Sequence, residues 1–265
     1  MTAILGGLHR HPNLEKQRLP AAARAVKVDR LGPAAMPSAR TSPGTSSRTS
    51  SGVLLVSAFA PELAPLVRWL ESPAQQRLRP TVTCQPVGIG AVDAAAGAAA
   101  ALVRHAPTAI VFVGTAGSYG ARPPLDAVAV ARALHLASGS AAAGGSYFPG
   151  PMLRRAGADA ALRRALLAAG GGSAVEGDVA TPLGITSSRR LAARLAAASG
   201  ALVENLEAFA VARAAAAAEV PFGAVLGVAN RVGPAAHEQW LRHRESATAA
   251  ACALVAAWLE DRASG

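Results

Sequence analysis

The feature that most constrains the fold of this chain is a regular alternation of short apolar segments with longer Ala-rich segments. The apolar segments at 53–60, 108–120 and 222–230 have the length and composition of buried strands. The segments that follow them, such as 61–72 and 237–263, have the composition of helices. Because strands alternate with helices, we expect an α/β fold with three layers, in which helices cover both faces of a mixed, mostly parallel twisted sheet.

The chain divides into two regions of different composition. Residues 1–52 are basic and rich in Ser, Thr and Pro, which is typical of a disordered extension. They could also be an organelle-type leader or precede the true start of the protein, for which Met36 is a candidate. Residues 53–265 have enough apolar content for one well-packed domain.

Charge and cysteine usage exclude several classes of function. Residues 1–52 carry eight Lys or Arg and two Asp or Glu, so they supply +6 of the net charge of +10. The remaining excess is spread along helices, which favours a solvated surface over nucleic-acid binding. Cys84 and Cys252 lack metal-ligand spacing and fit a reducing cytoplasm. We expect no metal, no cofactor and no membrane span.

Glu62 is the first candidate site residue, because it directly follows the first strand. Ligands of open α/β sheets bind beyond the carboxyl ends of the strands. Pro61 and Glu62 also fit the first turn of a helix, where an acid is favourable without having any function. Glu62 alone therefore leaves both interpretations open.

Glu207 and Asn230 form a second candidate pair. Glu207 opens an Ala-rich helix, and Asn230 ends the apolar strand that follows that helix. This order predicts that an acid and an amide lie close together at one edge of the sheet. A carboxylate there suits a sugar diol and an amide suits a purine edge, although Asn230 could instead cap a turn.

Other candidates are weaker. The loop 114–120 follows the most apolar strand and offers glycines and hydroxyl groups to a ligand. His237 and His243 are predicted to be solvated on one polar helix face. No Gly-x-Ser-x-Gly element is present, which argues against a Ser-His-Asp hydrolase.

Taken in order, these segments resemble the nucleoside phosphorylase and nucleosidase superfamily over residues 53–262. The segments that carry the resemblance are 57–62, 88–92, 114–117, 206–210 and 220–230. They resemble, in turn, the first-strand loop, the Gly-Ile-Gly turn, the Gly-rich loop, the Met-Glu-Ala segment and the final strand of the methylthioadenosine/adenosylhomocysteine nucleosidases.

The resemblance implies a role for each residue. Glu62 would handle the nucleophilic water, Glu207 would bind the ribose hydroxyls, and Asn230 would contact the purine. The remaining expected substrate contacts are Thr115, Ala116, Gly117, Leu206, Phe209 and Arg231. Tyr119, Tyr147 and Phe148 are the candidates for stacking on the base.

Two departures from that pattern are visible. Adenine-cleaving nucleosidases carry Asp at the position of Asn230 and a second Glu at the position of Asn205. An amide donates its NH2 group to the O6 atom of a 6-oxopurine, so the first departure predicts hypoxanthine as the base. The run 230–234 most resembles the futalosine hydrolases, which release hypoxanthine and dehypoxanthine futalosine in a menaquinone pathway.

The resemblance therefore implies a hydrolase of purine nucleosides. The runs of small residues in the helices suggest close packing and a face for a homo-oligomer. The absence of Arg from 57–62 and 114–120 favours water over phosphate as the nucleophile. Three alternatives stay open: a nucleosidase for 6-aminopurines, a purine nucleoside phosphorylase, and a noncatalytic nucleoside-binding protein.

Overall fold

The computed structural model describes residues 52–264, so the predicted extension over 1–52 lies outside the described residues except for its last residue. The eight strands of the described part are β1 Val53–Ser57, β2 Val82–Pro86, β3 Ala109–Ser118, β4 Val128–Ala137, β5 Arg155–Gly157, β6 Ala174–Pro182, β7 Val203–Glu204 and β8 Phe222–Arg231. Its seven α-helices are α1 Ala60–Glu71, α2 Ala91–His105, α3 Gly139–Ala142, α4 Ala160–Ala169, α5 Arg189–Ser199, α6 Ala208–Ala217 and α7 Ala236–Ser264.

All eight strands form one mixed sheet. The order is β2-β1-β3-β7-β6-β4-β5, and β8 pairs with both β3 and β4. The pairings of β3, β8, β4, β6 and β7 therefore return to β3 and close part of the sheet into a ring. The predicted α/β class with a mixed sheet is confirmed, and the closure is an addition that the chain order did not reveal.

Helices cover both faces of the sheet. Helices α2 and α6 pack on one face, where the inward residues of α2 recur at helical spacing: Ala94, Ala98, Ala101 and Leu102. Helices α1, α4 and α7 pack on the other face through Leu63, Leu166 and Val255, among others. Alanine at the inward positions allows the helices to approach the strands closely.

Helix α1 begins at Ala60, one residue before the predicted start at Pro61. Pro61 lies in the first turn, and Glu62 is the acidic residue of that turn. Proline suits this position because its missing N–H would have no partner within the helix. The first turn of α1 follows β1 after only two residues, so Glu62 is held at the carboxyl edge of the sheet.

The described residues include both cysteines of the chain. Both cysteines are free thiols, with Cys252 buried and Cys84 partly buried, and burial raises the pKa of each above its ordinary value. Within residues 52–264, no helix is long and apolar enough to cross a membrane. The same residues contain no cluster of three or more His, Cys, Asp or Glu side chains arranged to hold a metal ion.

Candidate active site

Three predicted residues from distant parts of the sequence line one cavity of about 370 Å³. Glu62 comes from the first turn of α1, Glu207 directly precedes α6, and Asn230 lies near the end of β8. The full lining consists of Ala58, Phe59, Glu62, Ile89, Thr115, Ala116, Gly117, Ile185, Glu204, Asn205, Leu206, Glu207, Asn230, Ala236, His237 and Trp240.

Strand register explains why these side chains meet. Gly117 on β3 is paired with Glu204 of β7 on one side and with Asn230 of β8 on the other. The β3–β8 pairing shifts at this point, because Ala116 is opposite Val228 whereas Gly117 is opposite Asn230. This bulge skips one residue of β8 and sets which residue faces Gly117.

Position 117 has room only for glycine, because the amide of Asn230 lies against its Cα atom. A Cβ atom at this position would be 2.7 Å from Asn230 Nδ2 and 2.9 Å from Val232 Cγ2. Any larger residue would therefore push the amide from its place. The Nδ2 group donates to the backbone carbonyl of Arg231 at 3.2 Å. This bond fixes the orientation of the amide and leaves Oδ1 and one N–H for a ligand.

Glu62 is buried, and its two carboxylate oxygens have different surroundings. Oε1 accepts hydrogen bonds from the backbone N–H of Thr115 at 2.9 Å and from the Thr115 hydroxyl at 3.0 Å. Oε2 is buried and has no hydrogen-bond partner in the described part of the chain. Burial raises the pKa of Glu62 from 4.5 to about 7, against the lowering effect of the Thr115 hydrogen bonds.

Glu207 is buried beside the Gly-Ile-Gly turn. Its Oε1 accepts the backbone N–H of Gly90 at 2.8 Å. Gly90 has a φ of 83°, a conformation that glycine adopts without strain and that aims its N–H at the carboxylate. Burial raises the pKa of Glu207, while the hydrogen bonds from Gly90 and its other neighbours lower it.

Asn205 joins two elements of the site. Its Oδ1 accepts the backbone N–H groups of Glu207 at 3.0 Å and Ala208 at 2.8 Å, which caps the first turn leading into α6. Its Nδ2 donates to the backbone carbonyl of Thr115 at 3.1 Å. The residue that departs from the nucleosidase pattern therefore ties Glu207 to β3.

Glu204 also lines the cavity, although no role for it was predicted from the sequence. Its carboxylate accepts the backbone N–H of Thr186 at 3.0 Å and the hydroxyl of Tyr119 at 2.8 Å. Burial, followed by the nearby Glu204 carboxylate, raises the pKa of Tyr119, so its hydroxyl stays a donor. The position of Glu204 at the end of a short apolar strand was the only sequence signal for it.

Trp240 and His237 are the aromatic side chains of α7 that reach the cavity. Their rings stack with centroids 6.1 Å apart and an interplanar angle of 18°. The prediction that His237 lies on a solvated helix face is only half right, since it is exposed but also lines the cavity. Nothing in the helical pattern marked Trp240, because an aromatic residue near a helix start is usually a packing residue.

Comparison with known proteins defines the family. A model of the phosphorylase superfamily matches residues 75–260, which is well over half of the chain. The chain belongs to the phosphorylase superfamily. A search of curated protein sequences finds no significant match to it.

Several solved structures share the fold of this chain. Futalosine hydrolase of Helicobacter pylori matches with a TM-score of 0.72 and 14% identity, covering 81% of this chain and 100% of that one. The 5′-methylthioadenosine/S-adenosylhomocysteine nucleosidase of the same organism matches with a TM-score of 0.73 and 13% identity, covering 80% and 99%. The corresponding Neisseria meningitidis enzyme matches with a TM-score of 0.70 and 20% identity, again covering 80% and 99%. These likenesses establish the fold.

The cavity of this phosphorylase-superfamily chain includes most of the predicted substrate contacts. Thr115, Ala116, Gly117 and Leu206 all line it. Phe209 does not, because its ring is buried in the core beneath α6. The helical spacing of Phe209 from Glu207 turns the two side chains in different directions.

Arg231 also does not line the cavity. Its guanidinium group donates to the hydroxyl of Ser118 at 3.2 Å and to the carbonyls of Pro123 at 3.3 Å and Ala121 at 2.9 Å. Successive residues of a strand point to opposite faces, so Arg231 points away when Asn230 faces the cavity. Arg231 instead stabilises the loop between β3 and β4 through these hydrogen bonds.

The three candidates for base stacking also lie outside the cavity lining. Tyr119 is held by Glu204, and the side chain of Tyr147 is largely exposed. Phe148 lines a second cavity beside α5 and stacks under the guanidinium of Arg154 at 5.2 Å. The aromatic rings available to a ligand in the main cavity are those of Phe59, His237 and Trp240.

Proposed function

We propose that this protein hydrolyses the N-glycosidic bond of a 6-oxopurine nucleoside and that futalosine is its substrate, with release of hypoxanthine and dehypoxanthine futalosine. A place in menaquinone biosynthesis and in the cytoplasm is part of this proposal. The observation that supports it most is the convergence of Glu62, Glu207 and Asn230 on one cavity.

Glu62 acts as the general base in this proposal. Its raised pKa of about 7 allows it to accept a proton from water near neutral pH, where a general base is most effective. Activity should rise as the pH increases through about 7, because only the ionised carboxylate accepts a proton. Thr115, which donates two hydrogen bonds to Glu62, lines the same side of the cavity.

Glu207 binds the ribose. One of its oxygens is held by Gly90, which leaves the other to accept hydrogen bonds from the sugar hydroxyls. As the C1′–N bond breaks, positive charge develops on the ribosyl ring, and a buried carboxylate stabilises that charge. Leu206 supplies an apolar wall beside this carboxylate, and Ala116 and Gly117 continue the lining along β3.

Asn230 reads the purine. Its remaining N–H donates to the O6 atom of a 6-oxopurine, and its Oδ1 accepts the N7–H of the departing base. Because an amide does not supply a proton, the base is protonated by solvent water. Arg231 has no part in holding the carboxylated tail of futalosine, since its guanidinium is engaged by three protein oxygens.

The nucleophile in the proposal is water. None of the residues that line the cavity, all of which lie within 52–264, is Lys or Arg. A phosphate ion would meet three buried carboxylates there, those of Glu62, Glu204 and Glu207, without a cation to neutralise it. The electrostatics of the cavity therefore favour hydrolysis over phosphorolysis.

A nucleosidase for 6-aminopurines is the second candidate, and the free Oδ1 of Asn230 favours it. An amide pairs with adenine by accepting a hydrogen bond from the 6-amino group and donating one to N7. No described residue donates to Oδ1, so it is available for an amino group. The geometry of Asn230 accommodates both bases, and the substrate assay decides between them.

The test is a product assay with futalosine, aminofutalosine, inosine and methylthioadenosine, each with and without phosphate. We expect free hypoxanthine from futalosine at a rate that does not depend on phosphate. A phosphate requirement would identify a phosphorylase. Faster cleavage of a 6-aminopurine nucleoside than of futalosine would identify the second candidate. Binding without turnover would overturn the enzymatic proposal.

Glu62→Gln provides the catalytic control for this assay. We expect its turnover to fall by about 10²- to 10⁴-fold, the usual contribution of a general base. Glu71→Gln is the matched variant, because Glu71 is an exposed residue at the other end of the same helix. Equal activities of the two variants would contradict the role of Glu62.

The proposed assembly is a homo-oligomer. Four apolar side chains are largely exposed in the single chain: those of Ile89 and Ile185, and those of Val92 and Leu183, which lie close to them in sequence. Ile89 and Ile185 also line the cavity, so a second copy over this surface would exclude water from it. Sedimentation velocity checks the assembly, and a monomer at micromolar concentration would contradict it.

A further inference from the structure

The indole of Trp240 makes a hydrogen bond whose direction is fixed by chemistry. Its Nε1 lies 3.1 Å from the hydroxyl oxygen of Thr115. An indole N–H only donates, so the Thr115 oxygen must accept here. The hydroxyl proton of Thr115 is therefore free for another partner, and Oε1 of Glu62 lies 3.0 Å away. The result is a directed chain from Trp240 through Thr115 to Glu62.

This chain occupies one oxygen of Glu62 fully. Oε1 receives both the hydroxyl and the backbone N–H of Thr115, which together use its two lone-pair positions. Oε2 is buried without a partner. The backbone of Ala58 lowers the pKa of Glu62, but less than the Thr115 groups do, and it does not form a hydrogen bond with Oε2. The two oxygens are thereby made unequal.

We propose that Trp240 is a positioning residue: its indole N–H holds the Thr115 hydroxyl as a donor to Oε1 of Glu62, so that Oε2 is the oxygen that takes the proton from the attacking water. This inference rests on the proposed function, because it assigns the proton transfer of that reaction to one atom. It gives α7, the last helix of the fold, a part in the chemistry.

The proton step balances as follows. An O–H bond of water breaks and its proton goes to Oε2, while the water oxygen bonds to C1′ of the ribose. The electron pair of the C1′–N bond leaves with the purine, which takes a proton from solvent water. Glu62 returns its proton to solvent before the next turnover.

Few charged or titratable groups face Glu62 from the elements packed around it. Glu207, from the segment before α6, raises the pKa of Glu62 through its charge. Cys252 of α7 contacts the backbone carbonyl of Glu62 through its thiol at 3.3 Å. His237 lines the same cavity, and Arg244 lies over the Trp240 ring at 5.1 Å. None of them replaces the Thr115 hydroxyl at Oε1.

Trp240→Phe is the sharpest test, because it keeps an aromatic ring and removes only the N–H. We expect kcat to fall about 5- to 20-fold, the effect of losing one hydrogen bond that orients a charged group, with KM within about twofold of wild type. The rise of kcat on the acidic side of its pH profile should move to higher pH. The reason is that a less securely held Thr115 hydroxyl stabilises the ionised carboxylate of Glu62 less.

Thr115 variants and a second tryptophan complete the set. Thr115→Val should move the pH profile further in the same direction. Thr115→Ser keeps the hydroxyl, so its profile should match that of the wild type. Trp69→Phe is the matched control, because Trp69 is half-buried on α1 and outside the cavity. We expect it to leave kcat and the pH profile unchanged.

A direct readout separates this inference from the proposed function. The carboxyl band of Glu62, identified in infrared difference spectra by its loss in Glu62→Gln, reports the titration without any substrate. Trp240→Phe should shift that titration to higher pH even if the natural substrate is not a nucleoside. An unchanged titration together with an unchanged pH profile would overturn the inference. A change in KM alone would also overturn it, because Trp240 would then only contact the substrate.

Discussion

The carboxyl group of Glu62 is ionised at some cost to the fold, because burial raises its pKa from 4.5 to about 7. A raised carboxyl pKa means that the folded chain holds this proton more tightly than the unfolded chain. The free energy of unfolding is therefore expected to fall as the pH rises from about 4.5 to about 7, by roughly 2–3 kcal/mol.

The variant Glu62→Gln should lack this dependence. We expect chemical denaturation at pH 5 and pH 8 to show wild type losing roughly 2–3 kcal/mol relative to the variant between the two values. The pKa of Glu207 is also raised, but that residue is present in both proteins and its contribution largely cancels. Parallel stability curves for the two proteins would show that Glu62 is not buried in its charged form.

Asn230 is the single residue that we expect to discriminate between 6-oxopurine and 6-aminopurine bases. Asn230→Asp replaces the remaining N–H donor with a carboxylate oxygen, which repels O6 of a 6-oxopurine and accepts from a 6-amino group. We expect kcat/KM for the 6-oxopurine nucleoside to fall about 10- to 100-fold, because a buried polar group loses its partner. The ratio of rates for futalosine and aminofutalosine measures this, and an unchanged ratio would mean that Asn230 does not read the base.

At the scale of elements, Asn205 is the joint between β3 and the N-terminal end of α6. Asn205→Ala removes both the cap and the bond to Thr115, so we expect a loss of roughly 1–2 kcal/mol in stability together with reduced activity. Asn205→Asp is the control that keeps the cap acceptor and loses the donor. Thermal denaturation should place it between Asn205→Ala and wild type. Equal midpoints for all three proteins would contradict the capping role.

The meeting of β3 with β7 and β8 is the other element that makes the site. Gly117 has one neighbour from each strand, Glu204 and Asn230, so a single residue of β3 sets the distance between an acid and an amide. The bulge between Ala116 and Gly117 is what brings Asn230 opposite Gly117. Without the skipped residue, strand alternation would turn Ala229 to that position.

At the scale of the whole molecule, the close approach of α7 to β8 holds the site together. A Cβ atom at Gly227 would lie 2.0 Å from the backbone carbonyl oxygen of Ala247. Gly227→Ala therefore forces the helix and strand apart, and we expect a loss of about 1–3 kcal/mol or more. Because α7 carries Trp240 into the cavity, activity should fall as well.

Gly172→Ala is the control for that prediction. A Cβ atom at Gly172 meets nothing within 4 Å, so the substitution should be close to neutral. Urea denaturation of both variants measures the difference. Equal stabilities would mean that the helix adjusts its position without cost.

Residue order was a good guide to elements but a partial guide to the site. The alternation of strands and helices was readable, and the start of α1 near Pro61 and the end of β8 near Asn230 were predicted to within one residue, because periodicity and turn chemistry are local. Seven of the nine predicted site residues line the cavity, and the other two, Phe209 and Arg231, do not. The residues that were missed, Glu204, His237 and Trp240, lie in segments whose local pattern resembles ordinary surface or core positions.

The sequence by itself determined the α/β class and the placement of one acid after the first strand, a second acid before α6 and an amide at the end of the last strand. Only the tertiary structure decided which side chains share a cavity. Arg231 turns away, Asn205 becomes a cap, and Trp240 reaches Thr115 across 125 residues of sequence. Strand register, the bulge opposite Asn230 and the approach of α7 are set by contacts between distant segments, and no local pattern encodes them.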